Sequence, residues 1–286
     1  MTEGSEEKER RGALLVLAAA LLWSTGGVGI KAIADPPLKV AFYRSAVAAV
    51  VLLLALRPRV FKTSPRFLAA IASYTACLIT FVVATKWTSA ANAIFLQYSG
   101  VAWVLLASPF VLKEPFKIRD AVAVVCAFAG MALFFVGKFR SGGRGDVVAL
   151  ASGVFFAGLV MLLRSERGLA AEAAVTWGNV LTAVVLLPFV AGDLSLTPKS
   201  AAVLGLLGSV QLAGAYILFV NGIKHVTATQ ASLVGMAEPI ANPIWVYLVL
   251  GEKPSGWAVA GGIIVLAAIA WRTLAAPPET VVAPPD

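Results

Sequence analysis

Charge is scarce in this sequence. Asp, Glu, Lys and Arg make up only 13% of 286 residues, against roughly 25% in soluble domains. There is one histidine, His225, and a lone imidazole cannot assemble a metal site. There are two cysteines, Cys77 and Cys126, both inside apolar runs, so a disulfide framework is excluded and packing is their expected role. No P-loop, Gly-x-Ser-x-Gly turn or Cys/His cluster occurs. Soluble-enzyme chemistry therefore has no seat, and no cofactor is expected. Strand-like alternation of apolar and polar residues is missing too, which argues against a β-barrel.

What is abundant is apolar surface, at 59% of residues. A small soluble core buries only part of such surface, so lipid must solvate much of the chain. A spanning segment must satisfy its own backbone polar groups, and helices do so. The apolar runs predict ten transmembrane helices, at about 12–33, 38–56, 67–86, 89–111, 119–137, 146–164, 171–191, 200–222, 227–250 and 255–274. Polar and proline-rich breaks separate them, among them Asp35-Pro36-Pro37, Arg57-Pro58-Arg59 and Lys113-Glu114-Pro115. Residues 71–112 carry one formal charge, Lys86. A single helix of that length would overrun the bilayer, so Lys86-Trp87-Thr88-Ser89 is read as a tight turn with Trp87 at the interface. The first apolar run lacks a small-residue cleavage site and reads as a membrane helix, not a signal peptide.

Net charge is +8, but the basic residues lie between apolar runs. That is topology signalling, not a nucleic-acid footprint. With both termini cytoplasmic, inside segments hold 14 basic residues and outside loops hold 8, which favours that orientation although Lys138, Arg140 and Arg144 oppose it. The resulting division is a cytoplasmic tail at 1–11, a first half at 12–138, a linker at 139–145, a second half at 146–274 and a disordered proline-rich tail at 275–286.

The two halves resemble each other. Lys86 pairs with Lys224, Asn92 with Gln230 and Glu114 with Glu252, all at an offset of 138 residues. Five helices per half is an odd number, so the second half enters the membrane from the opposite side. Such inverted repeats place a substrate site at the seam, near mid-membrane.

The Lys113-Glu114-Pro115 and Gly251-Glu252-Lys253-Pro254 endings, with Glu238-Pro239 midway along the ninth helix, resemble the EamA repeat of the drug/metabolite transporter superfamily over about 12–274. Leu22-Trp23-Ser24-Thr25 and Ser73-Tyr74 are similar to that family's aromatic amino acid exporters. The resemblance implies ten helices, alternating access, a bacterial inner-membrane location and export of amino acids or related metabolites. It also implies that Trp23, Tyr74 and Phe156 are cavity aromatics. Gly100 stands where the exporters have a bulky aromatic, which implies a wider cavity and broader selectivity. Related small multidrug antiporters carry an acid in the first helix of each copy. Neither Trp23-Ser24-Thr25 nor Phe155-Phe156-Ala157 holds one, so obligatory proton coupling is not expected.

Ionisable residues in mid-membrane are functional suspects. Glu238 suits a substrate ammonium or a proton, and equally a cap on backbone freed by Pro239. Arg44 suits a substrate carboxylate, but snorkelling or helix anchoring is the favoured reading. Ala231, Gly235, Glu238 and Asn242 share one helix face, and the 138 offset maps it onto Ala93, Gln97, Gly100 and Val104. The stripe suits close packing or a cavity wall, and the wall is favoured because Gln97, Glu238 and Asn242 are costly against lipid. Trp23, Ser24, Tyr74, Phe81, Phe156, Gln211 and Tyr216 complete the candidate substrate site, where rings can stack on a flat substrate or face an ammonium. The expected partners are a small-molecule substrate and the lipid bilayer, without nucleic acid, for a monomer or weak homodimer. Nucleotide-sugar or drug export, a membrane-embedded enzyme and a scaffold are the alternatives.

Overall fold

The computed structural model describes residues 3–58, 61–134, 143–166, 168–250 and 256–274. These residues are helical, with no strand among them. In chain order the helices are α1 (Glu3–Trp23), α2 (Gly26–Lys31), α3 (Pro37–Leu56), α4 (Pro65–Trp87), α5 (Ala90–Gln97), α6 (Ser99–Val111), α7 (Ile118–Phe134), α8 (Arg144–Glu166), α9 (Gly168–Val190), α10 (Pro198–Leu206), α11 (Ala215–Gly222), α12 (Ala228–Gly235), α13 (Ala237–Leu250) and α14 (Gly256–Leu274). A π-helical segment, Leu207–Gly214, joins α10 to α11.

Seven stretches among the described residues are long and apolar enough to cross a membrane: Glu7–Lys31, Pro37–Leu56, Pro65–Trp87, Asn92–Val111, Arg144–Glu166, Leu169–Val190 and Pro198–Gly222. The ten expected spans exceed this by the fifth, ninth and tenth. Helix α7 has 17 residues before 135–142, which lie outside the described residues, and α13 and α14 flank 251–255, which also do. The Glu252 ending of the repeat, residues 139–142 of the linker and the 275–286 tail fall outside as well. Helix α1 starts at Glu3, so the charged tail from that residue on is the first turns of a helix.

Helix starts follow local chemistry. Proline opens α3, α4 and α10, where its missing N–H costs nothing. Ser64, Ser89, Thr197 and Thr227 each accept a hydrogen bond from the backbone N–H three residues on, which satisfies a donor that the first turn leaves open. The turn expected at 86–89 is present: α4 ends at Trp87, Thr88 is extended and Ser89 caps α5.

Two expected helices are each broken in the middle. Tyr98 separates α5 from α6, and Met236 separates α12 from α13. The caps Ser89 and Thr227, the bounds of α5 and α12, and the breaks at Tyr98 and Met236 all repeat at the 138-residue offset. The first helix is broken too, at Ser24-Thr25 between α1 and α2.

Backbones cross closely where glycines permit it. A Cβ on Gly100 would stand 2.6 Å from the Gly153 carbonyl oxygen of α8. Gly26 and Gly29 of α2 meet side chains of the π-helical segment, Gln211 Nε2 (2.5 Å) and Leu207 Cδ2 (2.8 Å). Close helix contact is what these glycines provide. The core runs continuously from α1 to α14 through buried residues such as Val16, Tyr74, Tyr98, Leu163, Phe219 and Val265.

Candidate functional site

A small cavity of ≈ 40 Å³ lies inside the bundle. Trp23, Phe81, Gln97, Phe156, Gln211, Tyr216 and Glu238 line it, and so do Arg44, Cys77, Leu78 and Leu212. Seven of the ten sequence candidates therefore converge on one space.

Three groups of side chains build the wall. The first is aromatic. Trp23, at the C-terminal end of α1, packs edge-on to Tyr216 with ring centres 4.9 Å apart, and lies 5.1 Å from Phe219. Tyr216 in turn lies 4.8 Å from Tyr74. These spacings fit the favoured arrangements of quadrupolar rings.

The second group joins α4, α5 and α8. Gln97, the last residue of α5, donates its amide to Ser152 Oγ (2.7 Å) and to Cys77 Sγ (3.6 Å). The third spans α3, α1 and the π-helical segment. Arg44 is buried and donates through Nε (3.2 Å) and Nη2 (2.7 Å) to Gln211 Oε1. Gln211 Nε2 then donates to the Trp23 carbonyl oxygen (3.1 Å). That carbonyl stands at the α1 break, where helical partners run out. A π-bulge commonly marks a functional position, and this one carries Gln211.

Glu238 is 7% exposed and sits in the first turn of α13. The Tyr98 hydroxyl lies 2.9 Å from Glu238 Oε2 and 2.5 Å from the Gly235 carbonyl oxygen. A phenol has a single hydrogen, so the two acceptors share it. Pro239 removes a backbone donor at this break, and Tyr98 supplies one from the matching break of the other half.

Three candidates are placed otherwise. Tyr74 is fully buried but sits behind Tyr216, where its hydroxyl accepts from Asn179 Nδ2 at 2.7 Å. It supports the wall and is not part of it. Ser24 is also off the cavity. It accepts from Trp245 Nε1 (2.6 Å) and donates to the Leu21 carbonyl (2.6 Å), so it fastens the α1 break to α13. The side chain of Asn242 lies outside the described residues. Gly100 does not widen the cavity, because the α8 backbone occupies the space above it.

Cys77, Leu78 and Leu212 line the cavity and Tyr98 holds Glu238, though the sequence reading singles out none of them for the site. Arg44, open to a carboxylate or to helix anchoring, lines the cavity and anchors α3 to the π-helical segment through Gln211. Cys77 was findable, since it falls three residues after Tyr74 and four before Phe81, on one helix face. Arg44 does not snorkel: it is 3% exposed and turned to the cavity.

Polar ties cross the bundle at both ends. Where α3 begins and α9 ends, Lys39 pairs with Asp193 at 2.9 Å, and Ser200 donates to Asp35. Hydrogen bonds from the Ser195 hydroxyl, Lys39 and the Ser195 amide hold the Asp193 carboxyl down at about 2. At the other end Arg164 Nε donates to Glu114 Oε1 (3.1 Å), and Glu114 Oε2 caps the α12 start at Ala228 N–H (3.1 Å). Lys62 also pairs with Glu166 there, at 3.2 Å. Each of these ties joins a residue of α1–α7 or its loops to one of α8–α14 or its loops.

Comparison with known proteins places this geometry. Residues 10–136 and 143–274 each match the EamA-like transporter family. The chain is 28% identical over 267 residues to the uncharacterized transporter YwfM of Bacillus subtilis, covering 86% of this chain and 88% of that one. It is 25% identical over 205 residues to an uncharacterized transporter of Archaeoglobus fulgidus, covering 65% of this chain and 68% of the other. A solved crystal structure shares the fold at a TM-score of 0.76 and 18% identity, over 93% of this chain and 99% of that one. The cavity draws its wall from both matched segments: Trp23, Arg44, Cys77, Leu78, Phe81 and Gln97 from the first, and Phe156, Gln211, Leu212, Tyr216 and Glu238 from the second.

Proposed function

Because this chain belongs to the EamA-like transporter family, we propose that it is a secondary transporter exporting amino acids, neutral and aromatic ones included, by alternating access. It is a multi-pass integral membrane protein of the drug/metabolite transporter type. We further propose that ten helices form two inverted five-helix halves in a bacterial inner membrane, with both termini cytoplasmic. The substrate sits in the cavity between the halves.

The observation that carries this reading is the composition of that cavity. One small space between the two matched segments collects a carboxylate, a guanidinium, two amides and four aromatic rings. Charged groups are expensive at membrane depth and are retained where they serve a path or a ligand. A zwitterion with an apolar side chain complements all of these groups. At ≈ 40 Å³ the cavity is smaller than the 300–1,000 Å³ or so of ligand pockets, and polar ties join the two matched segments at each end of the bundle. This suits a closed intermediate between two open forms. The recurrence of a mid-helix break at Tyr98 and Met236 supports this reading, because an interrupted helix can bend where its hydrogen bonding lapses. Broken helices at the repeat interface are a common feature of such carriers.

The test is uptake of labelled L-phenylalanine into proteoliposomes with each of the twenty amino acids as competitor. Competition by neutral and aromatic members is expected, with or without an imposed pH gradient. If no amino acid competes, the amino acid reading fails.

A further inference from the structure

We infer that Arg44 and the Trp23 indole N–H form a carboxylate receptor inside the cavity, so that the substrate must carry an anionic group. The inference rests on the transporter reading above and names the chemistry of its site.

Arg44 offers five donors in a planar fork. Nε and Nη2 are spent on one neutral acceptor, Gln211 Oε1. Nη1 is buried and has no partner among the described residues. Trp23 Nε1, on the same cavity wall, is a second buried donor without one. Both residues are more than nine-tenths buried, at 3% and 8% exposure. Buried donors are nearly always satisfied, so two unused ones on residues that line a single space call for an acceptor that arrives with the ligand.

Charge makes the same demand more strongly. Arg44 forms no direct ion pair among the described residues, and a guanidinium whose hydrogen-bond partner is a neutral amide is costly to bury. Glu238 shares the cavity and its charge offsets part of that cost, but it makes no direct ion pair with Arg44, and its Oε2 accepts from Tyr98. Arg44 is also too well fixed to snorkel away: Gln211 holds it from the side and is itself held by the Trp23 carbonyl. Gln211 is thus a positioning residue that turns the fork toward the cavity. A carboxylate matches the fork, whereas an organic cation would meet it with repulsion.

The experiment is a thermal-shift titration of the purified full-length protein with two matched pairs, L-phenylalanine with L-phenylalaninamide and L-leucine with L-leucinamide. In the wild type each acid should half-saturate at a concentration at least about tenfold below its amide. Arg44→Gln should erase that preference, and Trp23→Phe, which keeps a ring and loses the donor, should reduce it. A wild type that binds the amides as tightly as the acids, or binds neither, overturns the inference even if Arg44→Gln does not fold. An Arg44→Gln protein that folds and keeps the preference overturns it too. The transport reading fails separately, if the acids bind but labelled L-phenylalanine is not taken up by proteoliposomes.

Discussion

The Tyr98 hydroxyl lies 2.9 Å from Glu238 Oε2, so the residue at the break of one helix restrains the acid at the matching break of the other. The contact ties α5–α6 to α12–α13 where both helices lose continuity. Tyr98→Phe keeps the ring and removes the donor. The loss of a hydrogen bond to a buried charged group predicts a destabilisation of about 1–3 kcal/mol. Thermal unfolding in detergent, compared with wild type, measures it.

The crossing of α6 and α8 makes a second prediction. A Cβ at Gly100 would stand 2.6 Å from a backbone oxygen that cannot rotate away. Gly100→Ala should therefore lower stability by about 1–3 kcal/mol through overpacking. Gly205 is the control, because a Cβ there meets nothing within 4 Å. Gly205→Ala should be neutral or stabilise by about 0.5–1 kcal/mol, since alanine loses less backbone freedom in a helix. Equal melting points for the two variants would remove the close crossing from the account.

Cys77 gives a native reporter on the cavity. It is buried and lines the wall, whereas Cys126 is exposed on α7. In a Cys126→Ala background, labelling of Cys77 by a small maleimide should slow severalfold when saturating L-phenylalanine is present. Labelling that ignores the ligand would put the binding site elsewhere.

Acid should weaken the tie between Lys39 and Asp193. The Asp193 carboxyl is lowered from 3.8 to about 2, chiefly by the Ser195 hydroxyl and Lys39. A depressed carboxyl stabilises the fold above its unfolded value and loses that contribution as pH falls from near 4 toward 2. The melting point of the wild type should thus fall more steeply over this window than that of Asp193→Asn. Parallel curves would show that the tie contributes nothing, as many exposed pairs do.

Much of this was legible in the chain. Helix type and most boundaries follow from apolar runs interrupted by Asp35-Pro36-Pro37 and its counterparts, because lipid tolerates little else. The helix starts at 89 and 227 were legible from the apolar runs that begin there, and the structure adds that Ser89 and Thr227 cap them. The 138-residue offset, read from Lys86 and Asn92, predicted the equivalence that the breaks at Tyr98 and Met236 display. What stayed hidden depends on tertiary contact. Tyr74 and Phe81 share a face, yet only Phe81 reaches the cavity, since Tyr216 of another helix stands before Tyr74. Gly100 promised space by analogy, and α8 fills it. The role of Arg44 stayed open because its partner, Gln211, lies 167 residues away on a π-helical segment that no local pattern announces.

Counterflow tests the central claim most directly. Proteoliposomes holding the purified protein are preloaded with unlabelled L-phenylalanine, and uptake of the labelled compound is compared with that of empty vesicles. A cavity exposed to one side at a time predicts faster uptake and a transient overshoot in preloaded vesicles, with both lost in Arg44→Gln. Equal uptake by preloaded and empty vesicles, or none above protein-free liposomes, would contradict the account.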